Sequence, residues 1–214
     1  MTKKVLIIIT RSEIGGAQMV ALMLAKDFKA QGAEVVVGVG EQSFLTDELK
    51  KENIPIVFFS HLKRSLNPLL PLAAFVEFKR FFNQHAFTAI QLNSSNSLIA
   101  AVAAKLSRYK PTVLFTFHGL SYLDPDADKN WLMKKIFYFA FKLLLPFVDK
   151  KIFVSPTNLT EAKKIGLVSA GVVIPNEIAV DPLSKTEAKR FLSAKIGIDL
   201  ETKKIIGSIG RLAY

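Results

Sequence analysis

The 214-residue chain contains no cysteine. That removes thiol nucleophiles, thiolate metal sites and disulfides, and it fits a reducing compartment. Glycine and proline number only 11 and 9, too few for a collagen-like repeat or a low-complexity chain. The histidines are just three, His61, His85 and His118, and none has carboxylates at ligand spacing, so no metal or other cofactor is expected. His61 reads as a loop residue and His85 as a helix-end residue suited to the helix dipole. No apolar run reaches the ~20 residues that a membrane-spanning helix needs. Val5–Ile9 is shorter than a signal-peptide core, and the stretch 136–148 is broken by Lys142 and Pro146. The expectation is a cytoplasmic chain, either free or resting peripherally on the inner membrane face.

Acidic residues are also scarce. The 29 Lys+Arg against 18 Asp+Glu leave 29 − 18 = +11, and such an excess calls for an anionic partner. Within 61–151 there are 13 Lys+Arg and 5 Asp+Glu, or +8, together with most of the phenylalanines. Two readings compete there: a solvated helix surface over an aromatic core, or amphipathic helices that meet anionic lipid. The first such segment carries Lys79 and Arg80 beside Phe75, Phe78, Phe81 and Phe82. The second carries Lys134, Lys135 and Lys142 beside Phe137, Tyr138, Phe139 and Phe141. Both are too apolar for a phosphate-tracking stripe, so no nucleic-acid partner is expected.

What the chain has in abundance is alternation. Short β-branched runs are separated by longer amphipathic segments, the pattern of βαβ units around a parallel sheet. Val5–Ile9 is a continuous apolar run, as in a strand buried on both faces. Helices are expected over 16–30, 45–51, from Asn67-Pro68 towards His85, over 95–107, from Lys129 to about Val148, and from Ser155-Pro156 onward. Strands are expected over 34–39, 54–59, 88–92, 112–117, 152–154 and 171–174. Ser184 to Glu187 has the form of a capping box that opens a helix to about Lys195, and Lys203–Ile209 reads as a new buried strand. The fold class expected is α/β. A Rossmann-like parallel sheet with helices on both faces fills residues 1–180. Residues 181–214 are a linker helix and the first strand of a second such domain.

Four short motifs could carry chemistry. After the first strand comes Thr10-Arg11-Ser12-Glu13-Ile14-Gly15-Gly16. Its paired glycines leave the backbone bare at a helix N-terminus, where an anion is favoured. The spacing is neither GxGxxG nor a Walker A loop, so neither a nicotinamide dinucleotide nor a P-loop nucleotide is indicated. After a mid-chain strand comes His118-Gly119, at the edge where open α/β sheets bind ligands. There His118 can hydrogen-bond a hydroxyl or meet a phosphate. Then follow Ile174-Pro175-Asn176, a polar turn, and Gly210-Arg211-Leu212, where a guanidinium is placed to clamp a diphosphate.

In that order and spacing the four motifs resemble the retaining glycosyltransferases of family 4, which have the GT-B fold. The likeness covers the whole chain as the N-terminal half of such an enzyme. It implies that Gly15 and Gly16 approach the donor phosphate or the sugar, and that His118 contacts the donor sugar near the reaction centre. Arg211 and Asn176 fall on the donor side. Arg11, Ser12, Glu13, Asn93, Ser94 and Ser95 fall on the acceptor side. The resemblance also implies a nucleotide-sugar donor, no metal, and a glycan or lipid-linked acceptor in cell-surface polysaccharide synthesis. Two departures stand out. Glu177 follows Asn176 where the family has glycine, and the family's Lys after Gly-Arg-Leu and its carboxylate motif lie beyond Tyr214. The isolated chain is therefore expected to be inactive. A non-catalytic module that binds a nucleotide sugar or anionic lipid is the competing reading.

Overall fold

The pleat of a β-strand sends successive side chains to opposite faces. In the computed structural model, β1 (Lys4–Ile9) sends Leu6 and Ile8 into one core and Val5, Ile7 and Ile9 into another. A run with no polar position on either face, as Val5–Ile9 is, must be sandwiched between two apolar layers, and this one is. The structure describes residues 3–63, 69–120, 123, 131–176 and 183–207.

Around β1 the chain builds β2 (Glu34–Val39), β3 (Ile56–Phe58), β4 (Ala89–Leu92), β5 (Thr112–Phe117), β6 (Lys150–Phe153) and β7 (Val172–Val173). The seven strands lie in the order β3-β2-β1-β4-β5-β6-β7, and every pair is parallel. Registers such as Ile8↔Leu92, Leu92↔Phe115 and Phe117↔Phe153 keep apolar residues in rows across the sheet. The connections are α1 (Gly16–Ala30), α2 (Phe44–Lys51), α3 (Leu70–Gln84), α4 (Ile99–Lys105), α5 (Trp131–Leu144) and α6 (Pro156–Lys164).

The aromatic helices answer part of the charge question. Phe78, Phe82 and Phe141 are buried, and Phe78 and Phe82 stack at 5.9 Å between ring centres. Burying each such ring contributes ~1.5–3 kcal/mol. These phenylalanines are core, whereas Phe139 stays 67% exposed. Among the described residues no helix is long and apolar enough to cross a membrane.

Some boundaries differ from expectation. β3 and β7 are shorter because each lies at a sheet edge and pairs on one side only. The segment expected to be helical from Ser95 begins as a 3-10 turn, Ser95–Leu98, opened by Ser94 and Ser97 as a reciprocal cap. The expected helix starts at Asn67-Pro68 and Lys129 fall outside the described residues.

Residues 1–176 and 177–214 form separate compact units. In the second, α7 (Lys185–Ile196) starts with Ser184 Oγ accepting from the Glu187 N–H and ends at Gly197, whose φ of 69° suits glycine. The expected strand at 203–209 is not formed over its described part, 203–207. A buried strand needs neighbours on both edges and faces, and here Ile206 is fully exposed.

Candidate functional site at the carboxyl edge of the sheet

Strand order reverses at β1: the chain first moves outward to β2 and β3, then returns to add β4 on the other side. Adjacent loops diverge at such a point and leave a crevice beyond the carboxyl ends of the strands. The residues that follow β1, β4 and β5 are Thr10-Arg11-Ser12, Asn93-Ser94-Ser95 and His118-Gly119. The sheet thus brings together side chains far apart in sequence.

The loops after β1 and β4 are pinned to each other. Thr10 and Ser94 share a hydroxyl–hydroxyl bond of 2.7 Å, and the Thr10 N–H also donates to Ser94 Oγ at 3.2 Å. Beside them Asn93 is buried, its N–H donating to Ile8 O at 2.9 Å. Asn93 Oδ1 lies 3.1 Å from His118 Nε2. A neighbouring buried pair, Gln91 Nε2 on Thr116 Oγ1, ties β4 to β5 one residue back from the edge.

Asn93, Ser94, Ser95, His118 and Gly119 line one hollow of about 270 Å³, closed on the apolar side by Phe117 and Phe141. Burial holds the His118 imidazole below its usual pKa range, because the cation is poorly solvated there. Its Nδ1 is closed to solvent and has no hydrogen-bond partner among the described residues. Among the described residues no cluster of His, Asp and Glu could hold a metal ion.

Gly15 and Gly16 sit at the start of α1, with Gly15 as its N-cap in extended backbone at φ −176°. A Cβ on Gly16 would meet nothing within 4 Å, so the main chain there is open to an approaching group. The glycines are not among the lining residues of the His118 hollow. Arg11 is half-buried and pairs with exposed Glu13 at 2.6 Å. Ser12 is fully buried: its hydroxyl donates to Glu41 O at 2.8 Å and its carbonyl accepts from the Leu45 N–H. It serves as a pin between the loops after β1 and β2. Asn176 is exposed beyond β7, at the far edge of the sheet. Arg211 lies outside the described residues.

Glu41, Gln91 and Thr116 were not singled out as site residues from sequence; Thr10 was named only as the start of the first motif and Phe141 only as part of an aromatic helix. Thr10 directly follows the first apolar run, and Glu41 comes two residues after β2. Position at or near a strand's carboxyl end was the signal available for Thr10, Glu41, Gln91 and Thr116, and Phe141, on α5, had none.

The model of Glycosyltransferase Family 4 matches residues 14–181. No curated protein matches the chain by sequence. Among solved structures, Anabaena Alr3699/HepE in complex with UDP and glucose is 18% identical with a TM-score of 0.69, covering 91% of this chain and 50% of that one. MurG of Acinetobacter baumannii is 20% identical, with a TM-score of 0.55 and coverage of 85% and 50%. Sucrose-phosphate synthase of Thermosynechococcus elongatus is 14% identical, with a TM-score of 0.65 and coverage of 88% and 52%. The chain spans about half the length of each of these structures. At such identities the likeness is one of fold: the seven-stranded sheet matches the Rossmann-like N-terminal domain of GT-B proteins. With the family model covering most of its length, the chain belongs to glycosyltransferase family 4.

Proposed function

We propose that this chain is the N-terminal, acceptor-side part of a retaining hexosyltransferase. The enzyme moves a sugar from a nucleotide-sugar donor to a glycan or lipid-linked acceptor in cell-surface polysaccharide synthesis. The observation that carries the reading is the hollow at the carboxyl ends of β4 and β5, where Asn93, Ser94, Ser95 and His118 converge on a family 4 sheet. That the HepE complex holds UDP and glucose supports a nucleotide sugar as the donor here.

In this reaction a diphosphate leaves while the sugar carbon gains positive charge. Groups already aimed at the leaving charge lower the barrier without reorganising. Backbone N–H groups at Gly15 and Gly16 and the guanidinium of Arg211 are assigned that role, with no metal. Asn176 is assigned to the donor side, Arg11 and Glu13 to the acceptor side. The chain spans about half of the structures it matches, so by itself it is assigned no turnover.

A lipid-linked acceptor is favoured by the surface of α5. Leu132, Ile136, Phe139 and Leu143 are exposed at spacings of four, three and four, a single stripe along the helix. Lys135 sits over the Trp131 ring at 4.6 Å. An apolar groove of about 220 Å³ between α3 and α5, with Lys63 and His61 at its rim, shares Ser95 and Phe141 with the His118 hollow. A hydrocarbon chain in that groove would bring its head group to the polar residues. The same stripe would set the protein on the cytoplasmic face of the inner membrane.

The test uses purified chain, alone and extended by any further residues its gene encodes, with labelled nucleotide sugars and a membrane lipid extract. Transfer into lipid or glycan by the extended protein only, with the anomeric configuration kept, is the expected result. No transfer by the extended protein from any nucleotide sugar would remove the reading, and turnover by the chain alone would remove the split site.

A further inference from the structure

The Asn93–His118 contact excludes one neutral tautomer of the ring. Asn93 Nδ2 reaches Gln91 O at 3.5 Å, which turns Oδ1 toward His118. An amide oxygen can only accept, so at 3.1 Å the Nε2 of His118 must carry the proton. The opposite tautomer would set two lone pairs against each other. It would also leave Nδ1–H as a buried donor with no partner among the described residues, which costs more than an under-used acceptor. The imidazolium would leave the same orphan donor and add a desolvated charge. Around the ring, β4, β5 and α5 supply amide, hydroxyl and phenyl groups, and no Asp, Glu, Lys or Arg lines the hollow among the described residues.

We propose that Asn93 is a positioning residue that holds His118 as the neutral Nε2–H imidazole, with Nδ1 left as a hydrogen-bond acceptor. One consequence rests on the sugar-transfer reading above: with Nε2–H spent on Asn93 and Nδ1 closed to solvent, His118 presents a neutral ring to the hollow. A neutral ring offers no charge to an ionised phosphate, so His118 is then an uncharged wall of the hollow and not a clamp for the diphosphate.

The tautomer itself can be measured in the free 214-residue chain, so it stands or falls separately from transfer activity. With only three histidines in the chain, a long-range 1H–15N spectrum of 15N-histidine protein resolves each ring, and H118Q assigns the signal. At pH 7 His118 is expected as nearly pure Nε2–H, titrating below the ordinary histidine range. N93D keeps the acceptor and adds a charge, so the tautomer should persist while the titration moves to higher pH. N93L removes the acceptor, and the tautomer preference should relax. A wild-type ring that is Nδ1–H or charged at pH 7 would overturn the proposal. So would a folded N93L with an unchanged tautomer ratio, or, where N93L does not fold, a N93D ring that titrates like the wild type.

Discussion

The hydroxyls of Thr10 and Ser94 meet at 2.7 Å across the point where strand order reverses. This bond joins the loop after β1, which leads to Gly15 and Gly16, to the loop after β4, which carries Asn93 and Ser95. Ser94→Ala should lower stability by ~1 kcal/mol, the usual net worth of one hydrogen bond. Thr10→Val should cost a similar amount. The double variant should cost clearly less than the sum, because both single changes break the same bond. Urea unfolding of the four proteins measures this, and strict additivity would show that the contact carries no energy.

Two glycines should respond in opposite ways to alanine. At Gly40 a Cβ would fall 1.8 Å from Leu62 O and 2.9 Å from Thr10 O, both main-chain atoms that cannot swing aside. Gly40→Ala should therefore cost on the order of 3 kcal/mol or more. At Gly16 the same atom meets nothing within 4 Å, and alanine is the better helix former by ~1 kcal/mol. Gly16→Ala should leave the melting temperature unchanged or higher. On the proposed function, it should weaken nucleotide-sugar binding about tenfold, or ~1.4 kcal/mol. Equal binding by Gly16→Ala and wild type would mean that no ligand approaches that backbone.

Acid sensitivity should trace in part to Asp149. Burial acts against its charge, yet Lys105 Nζ at 2.5 Å and the Val113 N–H at 2.7 Å outweigh it, and the carboxyl sits below its usual range. A depressed folded-state pKa means stability that is fully present above the unfolded value of ~3.9 and lost as pH falls through the folded one. Asp149→Ala should cost ~1 kcal/mol at pH 7 after allowance for its partial exposure. The gap between variant and wild type should close below about pH 4. Thermal melts at pH 7, 5 and 3 test it, and a gap that widens in acid would reverse the sign of the argument.

The exposed stripe on α5 should matter for lipid and not for folding. Phe139→Ser and Leu143→Ser alter side chains 67% and 71% exposed, so each should shift stability by no more than ~0.5 kcal/mol. Flotation with vesicles rich in anionic lipid should capture the wild type and lose the double variant. Equal flotation of both, or no preference over neutral vesicles, would detach the stripe from the membrane.

Much of the sheet was legible because buried parallel strands announce themselves. The six residues of β5 and the fifteen of α1 match their expected bounds, since each is a strong pattern closed by a turn or a glycine. β6 begins earlier than expected, at Lys150, because two lysines mask a strand start whose backbone still pairs with Leu114 and Phe115. The strand expected at 203–209 had apolar residues but, over 203–207, no partner, and sequence does not display partners. The same limit applies to the site. His118 and Asn93 could each be placed at a strand end. Their contact across 25 positions exists only because β4 and β5 are neighbours. Ser12 was expected on the acceptor side by resemblance, and only the tertiary contact with Glu41 shows its hydroxyl turned into the wall.

Chemical-shift mapping of UDP-glucose on the 15N-labelled chain probes the hollow at the carboxyl edge of the sheet directly. The amides of Gly15, Gly16, Asn93, Ser94 and Gly119 should move in a concentration-dependent way, and those of α7 should not. No shift at millimolar nucleotide sugar, or shifts confined to residues away from the carboxyl ends of β1, β4 and β5, would contradict the assignment of this edge as the place where the sugar is held.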